Sequence, residues 1–138
     1  MHLIIDGYGG DPQRMQNEAL IRQLLDRYPS QIGMKKIAPP SVLRYIGDKP
    51  EDWGISGFVL IAESHISIHT FPEKAYINID IFSCKPFDAE GAAEVMRREF
   101  GLAAVKTHLL ERGLEYPTSL EAAGEVVAQE RLQVSSAR

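Results

Sequence analysis

The sequence predicts an α+β two-layer sandwich, in which an antiparallel sheet carries helices on one face. Three strand-like segments follow one another between residues 55 and 84 with no helix between them, which is typical of antiparallel sheets. Amphipathic segments at residues 11–28 and 88–100 stand before and after this block. Their apolar stripes need a sheet face to cover, which favours two layers.

The first half of the chain predicts one strand, one helix and a less regular region. Residues 2–8 are a short apolar run that ends at two glycines, so we expect a strand and a turn. An Asp-Pro pair then provides the N-cap and first residue of the helix at residues 11–28. Residues 31–37 are predicted to be a strand. Residues 38–54 hold three prolines and two glycines and are predicted to be a long ordered loop.

The second half predicts a more regular series of elements. Strands are expected at residues 55–62, 65–71 and 76–84, and the short turn between the last two predicts a hairpin. The helix at residues 88–100 is capped by Asp88 and ended by Gly101. A last strand is expected at residues 103–110, so the predicted order is β-α-β-β-β-β-α-β.

Length and composition predict one domain, residues 1–117, and a C-terminal tail, residues 118–138, with a helix near residues 120–132. The chain has 138 residues, 44% of them apolar, and a net charge of -4, which argues against a nucleic-acid partner. No apolar run approaches the roughly 18 residues of a membrane span, and the start lacks the pattern of a signal peptide. A single cysteine cannot form an internal disulfide, and we expect a cytoplasmic protein.

Alternation along the predicted hairpin separates an apolar face from a polar one. Ile66 and Ile68 point one way, whereas His65, Ser67 and His69 point the other. The partner strand has three isoleucines on one face, opposed by Asn78, Asp80 and Cys84. A polar sheet face of this kind suits a site or a contact between subunits.

Residues 63–73 concentrate the chemistry of the chain. They hold two histidines, two serines and two glutamates in eleven residues, and the only thiol, Cys84, follows eleven positions later. Buried polar groups need partners, so this density suggests a covalent site that uses one serine, one histidine and one cysteine.

A metal site and a hydrolase site are the simpler alternatives for these residues. His65 and His69 are four apart, which on a strand is about 13 Å, so one metal ion cannot bridge them and no metal ligand is predicted. Ser64 lacks the Gly-x-Ser-x-Gly turn of a hydrolase nucleophile. A Cys84–His69 nucleophilic pair stays open, as does the alternative that Cys84 is a small apolar filler.

Residues 63–73 followed by 80–84, with Gly-Ile-Ser-Gly at 54–57, resemble the pyruvoyl-dependent prokaryotic S-adenosylmethionine decarboxylase family. The similarity covers most of residues 2–113. It implies that the chain cuts itself between Glu63 and Ser64: the Ser64 hydroxyl attacks the preceding carbonyl, and the new chain then starts with a pyruvoyl group at position 64. By match to the motif, His69 moves protons during processing and Ser56 assists the rearrangement.

The resemblance also implies an activity, the decarboxylation of S-adenosylmethionine for spermidine synthesis, and a homodimer with sites at its interface. The pyruvoyl carbonyl would accept the electrons released with carbon dioxide, and Cys84 would return the proton. Phe71 would stack on the adenine, with Tyr45 or Trp53 as the second ring. Glu73 would bind ribose hydroxyls, or is a solvated turn residue.

The chain departs from the family pattern in three places. It has extra residues within 46–52, Phe71 stands where the motif often has Trp, and Tyr-Gly-Gly at residues 8–10 replaces an expected cysteine motif. A pyruvoyl-dependent arginine or ornithine decarboxylase therefore stays open, as does an unprocessed relative that binds a nucleoside or regulates an enzyme.

One geometric conflict also follows from the spacing. A straight strand places Ser64 and His69 on opposite faces, about 16 Å apart. They can cooperate only if the strand bends at Ser64 or if the histidine comes from a second subunit.

Overall fold

The computed structural model describes residues 1–112 and 120–136. The elements are, in chain order, β1 His2–Tyr8, α1 Pro12–Met15, α2 Glu18–Gln31, β2 Ser41–Ile46, β3 Trp53–Ile61, β4 Ser64–Phe71, β5 Tyr76–Phe82, α3 Ala89–Phe100, β6 Ala104–Leu110 and α4 Leu120–Ser136. A 3-10 turn, Pro72–Lys74, joins β4 to β5.

The strands form one six-stranded sheet in the order β2-β3-β4-β5-β1-β6, and every neighbouring pair is antiparallel. Helix α2 packs on β2 and β3, and α3 packs on β1 and β6. The predicted α+β two-layer sandwich is therefore confirmed. We call the side of the sheet that faces α2 and α3 the inner face and the opposite side the outer face.

Isoleucines dominate the inner face and set the register of the central strands. Ile66 lies opposite Ile81 and Ile68 opposite Ile79, and all four side chains are fully buried. A slip of either strand by one residue would move its isoleucines to the outer face, so burial specifies this pairing strongly. The helices complete the core with Ile21, Leu25, Ala92, Met96 and Phe100.

The first predicted helix is in fact two helices. Helix α1 ends at Met15, and the Asn17 side chain accepts the backbone N–H of Leu20 (3.0 Å) to start α2. This cap offers the chain a new helix start in the middle of the predicted one. The second helix does not end at Pro29. This proline lies in the last turn of α2, which continues to Gln31.

The predictions for residues 31–37 and 38–54 were wrong in their main features. Gln31 is the last residue of α2, and residues 32–37 contribute only an isolated bridge between Lys36 and Ile61. The second strand is instead β2, inside the predicted loop, and β3 begins at Trp53 rather than residue 55. Strand β2 lies at the sheet edge and buries only Val42, so it shows no alternating pattern.

Helix α4 contains the helix predicted near residues 120–132 and extends to Ser136. The predicted domain boundary between residues 117 and 118 lies outside the described residues. Within the part of the chain that the structure describes, no helix is both long and apolar enough to cross a membrane.

Thr70 provides a test of how β4 is fixed to its surroundings. Its buried hydroxyl accepts the Ile55 N–H (3.0 Å) and donates to the Met15 carbonyl (2.7 Å). We expect Thr70→Val to lower the free energy of unfolding by about 2 kcal/mol, because two buried backbone groups lose their partner. Denaturant unfolding measures this, with Thr107→Val on the exposed strand β6 as the control. Equal stability of the two variants would contradict this role of the hydroxyl.

Candidate active site

A serine and the only cysteine meet at one end of the central strands. Ser64 begins β4, and Cys84 follows two residues after β5 ends. The Cys84 N–H donates to Ser64 Oγ (3.1 Å), and the Ser64 hydroxyl points at Cys84 Sγ (3.7 Å). The thiol also lies 3.9 Å from the carbonyl oxygen of Glu63. Cys84 thus contacts both the hydroxyl and the carbonyl at the Glu63–Ser64 peptide; we call these three residues the Ser64–Cys84 site.

His69 lies on the outer face and belongs to a different group. Its Nδ1 is 2.9 Å from the hydroxyl of Ser56, which is directly opposite on β3. Asn78 is its neighbour on the other side, on β5. Among the described residues, the Asn78 Oδ1 is a buried side-chain oxygen that has no hydrogen-bond partner.

The other end of the sheet carries aromatic side chains on the outer face. Phe71 packs against Tyr76, with ring centroids 5.5 Å apart, and Tyr76 packs against Tyr8 at 5.3 Å. The Tyr76 hydroxyl donates to Asp6 (3.0 Å). Desolvation and this contact with Asp6 raise the pKa of Tyr76, so it holds its proton and stays a donor.

The remaining predicted substrate-binding residues lie at this same end. The Trp53 Nε1–H donates to the Glu73 carboxylate (3.1 Å), and the guanidinium of Arg44 lies 4.7 Å from the centre of the Trp53 ring. Tyr45, on β2, lies opposite Gly54 of β3 and is 57% exposed. We call Phe71, Glu73, Trp53, Tyr45 and Tyr76 the aromatic end.

The structure separates these groups within one chain. Ser64 and Phe71 are the two ends of β4, about 23 Å apart at the usual rise per residue. Ser64 shares the buried side with Ile66, whereas His69 is exposed on the outer face. Pairing of β4 with β5 is unbroken from His65 to Phe71, so no bend brings His69 back to Ser64. A Cys84–His69 pair is not formed.

Three residues near the predicted site were missed from the sequence. Tyr76 contacts Phe71, Tyr8 contacts Tyr76, and Asn78 lies beside His69. Phe71 and Tyr76 flank the hairpin turn, so their pairing could have been inferred from the turn length alone. The place of Tyr8 depends on the pairing of β5 with β1, which is remote in sequence, whereas Asn78 lies opposite His69 through the β4–β5 hairpin register. In the described ranges, no cluster of three or more His, Cys, Asp or Glu could hold a metal ion.

The fold and the Ser64–Cys84 site define a small α+β protein with a hydroxyl and a thiol placed at a peptide bond of its own chain. The family model described as S-adenosylmethionine decarboxylase matches residues 1–113. The chain belongs to this family, and the resemblance predicted from its sequence is confirmed.

Relatives and a solved structure agree with this assignment. The chain is 33% identical to the S-adenosylmethionine decarboxylase proenzyme of Prochlorococcus marinus (strain MIT 9313), over 80% of this chain and 82% of that one. It is 31% identical to the proenzyme of Archaeoglobus fulgidus, over 81% of this chain and 96% of that one. The crystal structure of the adenosylmethionine decarboxylase from Aquifex aeolicus matches with a TM-score of 0.69 and 28% identity, over 86% of this chain and 93% of that one.

Proposed function

We propose that this chain is a self-processing, pyruvoyl-dependent decarboxylase of S-adenosylmethionine that supplies the aminopropyl donor for spermidine synthesis. The observation that carries the proposal is the contact of Cys84 with both reacting groups of the Glu63–Ser64 peptide. Family membership and the name proenzyme in the relatives support it.

Self-cleavage would begin with Ser64. Its Oγ attacks the Glu63 carbonyl carbon, an ester forms, and the amide C–N bond breaks to free the Ser64 amine. The Cys84 N–H orients the hydroxyl, and the thiol is positioned to donate to the carbonyl oxygen as negative charge develops on it.

A base must then remove the Ser64 α-proton so that the Cβ–O bond breaks and releases the Glu63 carboxylate. Addition of water to the resulting dehydroalanine and loss of ammonia leave the pyruvoyl group. We assign this proton transfer to His69, which Ser56 holds by a 2.9 Å contact.

The pyruvoyl group supplies an electron-withdrawing carbonyl that makes loss of carbon dioxide from a bound amine possible. This chain's residues provide the rest. Cys84 lies beside position 64 and would return the proton to the substrate carbon. The Phe71 and Tyr76 rings, which contact each other on the outer face, suit a flat base and a positively charged sulfonium, and Glu73 suits ribose hydroxyls.

A dimer of two protomers would bring the Ser64–Cys84 site together with the His69–Ser56 pair and the aromatic end. The outer face exposes Leu43, Phe58 and Leu60, with 70%, 47% and 45% of their surfaces accessible. If two outer faces pack about a two-fold axis perpendicular to the strands, the partner's β4 runs the opposite way. Ser64 lies on the buried side of β4, but the β4–β5 pairing has already ended there. We infer that the Ser64–Cys84 site is open to the outer face at this end and meets the aromatic end and the His69–Ser56 pair of the other protomer, in a homodimer with two shared sites.

Mass spectrometry of the purified protein tests self-cleavage directly. We expect two chains, 1–63 and 64–138, the second with a blocked N-terminus that borohydride or phenylhydrazine modifies. Ser64→Ala should remain one chain, because the attacking oxygen is gone. Cys84→Ala should keep some cleavage but lose turnover, because the returning proton is lost. An intact wild-type chain after long incubation would favour an unprocessed binding protein instead.

Mixing two inactive variants tests the shared sites. His69→Ala and Ser64→Ala should each fail to cleave alone. When they are co-expressed, the His69→Ala chain should be cleaved, because its intact Ser64 faces an intact histidine on the Ser64→Ala partner. Cleavage of His69→Ala alone, or none in the mixture despite measured heterodimers, would rule out action across the interface.

Release of labelled carbon dioxide from S-adenosylmethionine, arginine and ornithine tests the substrate. We expect S-adenosylmethionine to be preferred and Phe71→Leu to raise its KM about tenfold, because a stacked ring is lost while Cys84 stays in place. The Phe87→Leu variant, remote from the aromatic end, is the control. Preference for arginine or ornithine would overturn the substrate assignment and leave self-processing intact.

A further inference from the structure

We propose that the Ser83 hydroxyl positions Cys84 and that Met34 in turn holds the Ser83 hydroxyl in place. This inference rests on the proposed function of the Ser64–Cys84 site. Ser83 is 2% exposed, and its Oγ accepts the N–H of Lys85 (3.0 Å). Because this hydrogen bond joins the residues on either side of Cys84, it closes a tight turn around the thiol.

Both backbone polar groups of Ser83 are also hydrogen-bonded. Its N–H donates to the Met1 carbonyl (2.9 Å), and its own carbonyl accepts the amino group of Met1 (2.7 Å). Within the described part of the chain, the contacts of the thiol itself are long, at 3.7 and 3.9 Å. Its direction is therefore set less by its own bonds than by the residue before it.

Met34 links this turn to the other half of the site. The Ser83 hydroxyl donates to Met34 Sδ (3.2 Å), and Met34 is 6% exposed. The next carbonyl, of Lys35, accepts the N–H of Ala62 (2.9 Å), immediately before Glu63. Residues 34 and 35 thus hold both segments that meet at the peptide to be cut: one ends at Glu63 and the other at Cys84.

Ser83 therefore acts on the reaction through Cys84. Replacing Ser83 with alanine would release the Lys85 N–H and let the thiol and the Cys84 N–H move relative to Ser64 Oγ. We expect self-cleavage to slow by about tenfold, the effect of losing one to two ordinary hydrogen bonds.

Four variants test this: Ser83→Ala, Ser83→Thr, Met34→Leu and, as an exposed hydroxyl control, Ser30→Ala. Self-cleavage is followed by mass spectrometry. Alkylation of the only thiol of the chain by iodoacetamide is followed across pH in a Ser64→Ala background, where no cleavage intervenes. Thermal unfolding of each variant is measured alongside.

Ser83→Ala should slow cleavage and change both the rate and the pH profile of alkylation, whereas Ser83→Thr should restore both because it keeps the hydroxyl. Met34→Leu keeps the core volume but removes the sulfur, so it should slow cleavage by a smaller factor, about threefold. Ser30→Ala should match the wild type.

Unchanged alkylation in folded Ser83→Ala, or failure of Ser83→Thr to restore it, would overturn the proposal. If Ser83→Ala does not fold, Met34→Leu decides, and wild-type rates in that variant would overturn it. Should the wild type not cleave at all, the proposed function fails, while alkylation still tells whether Ser83 holds the thiol.

Discussion

Burial of the isoleucine layer is the constraint on which the rest of this structure depends. Ile66 and Ile68 of β4 lie opposite Ile81 and Ile79 of β5, and all are fully buried. Side chains alternate along a strand, so burying these residues places Ser64 with them and sends His69 to the outer face. The division of the functional residues into groups is thus a consequence of packing the core.

The end of the sheet provides a backbone N–H that is free of the strand ladder, which the interior of a strand does not offer. Pairing of β4 with β5 stops at His65 and Phe82, so the N–H of Cys84 is not used by the ladder and can bind Ser64 Oγ. Backbone groups must be satisfied wherever they are buried, and here a serine hydroxyl does so. The same geometry places the thiol beside the Glu63 carbonyl oxygen, 3.9 Å away.

Prediction from sequence was accurate where local patterns are strong. The hairpin of β4 and β5 follows from alternation and a turn, and α3 follows from Asp88 and Gly101 at its two ends. It was wrong for β2, which buries a single side chain and takes its partner from β3. The break between α1 and α2 was also missed, because the Asn17 cap competes with a continuous apolar stripe.

Within the strands, the sequence by itself determined which side chains share a face and which family motif they form, since alternation and motif order are local properties. Cys84, predicted to lie on the polar face of a strand at residues 76–84, instead follows the end of β5 at Phe82. Only the tertiary structure decided that Ser64 is bound by Cys84 and that His69 is bound by Ser56, because pairs 20 and 13 residues apart meet only through strand register. It also decided that β1 and its aromatic ring complete the outer face beside β5. Such long-range pairing is chosen by the burial of the whole core, which no single segment encodes.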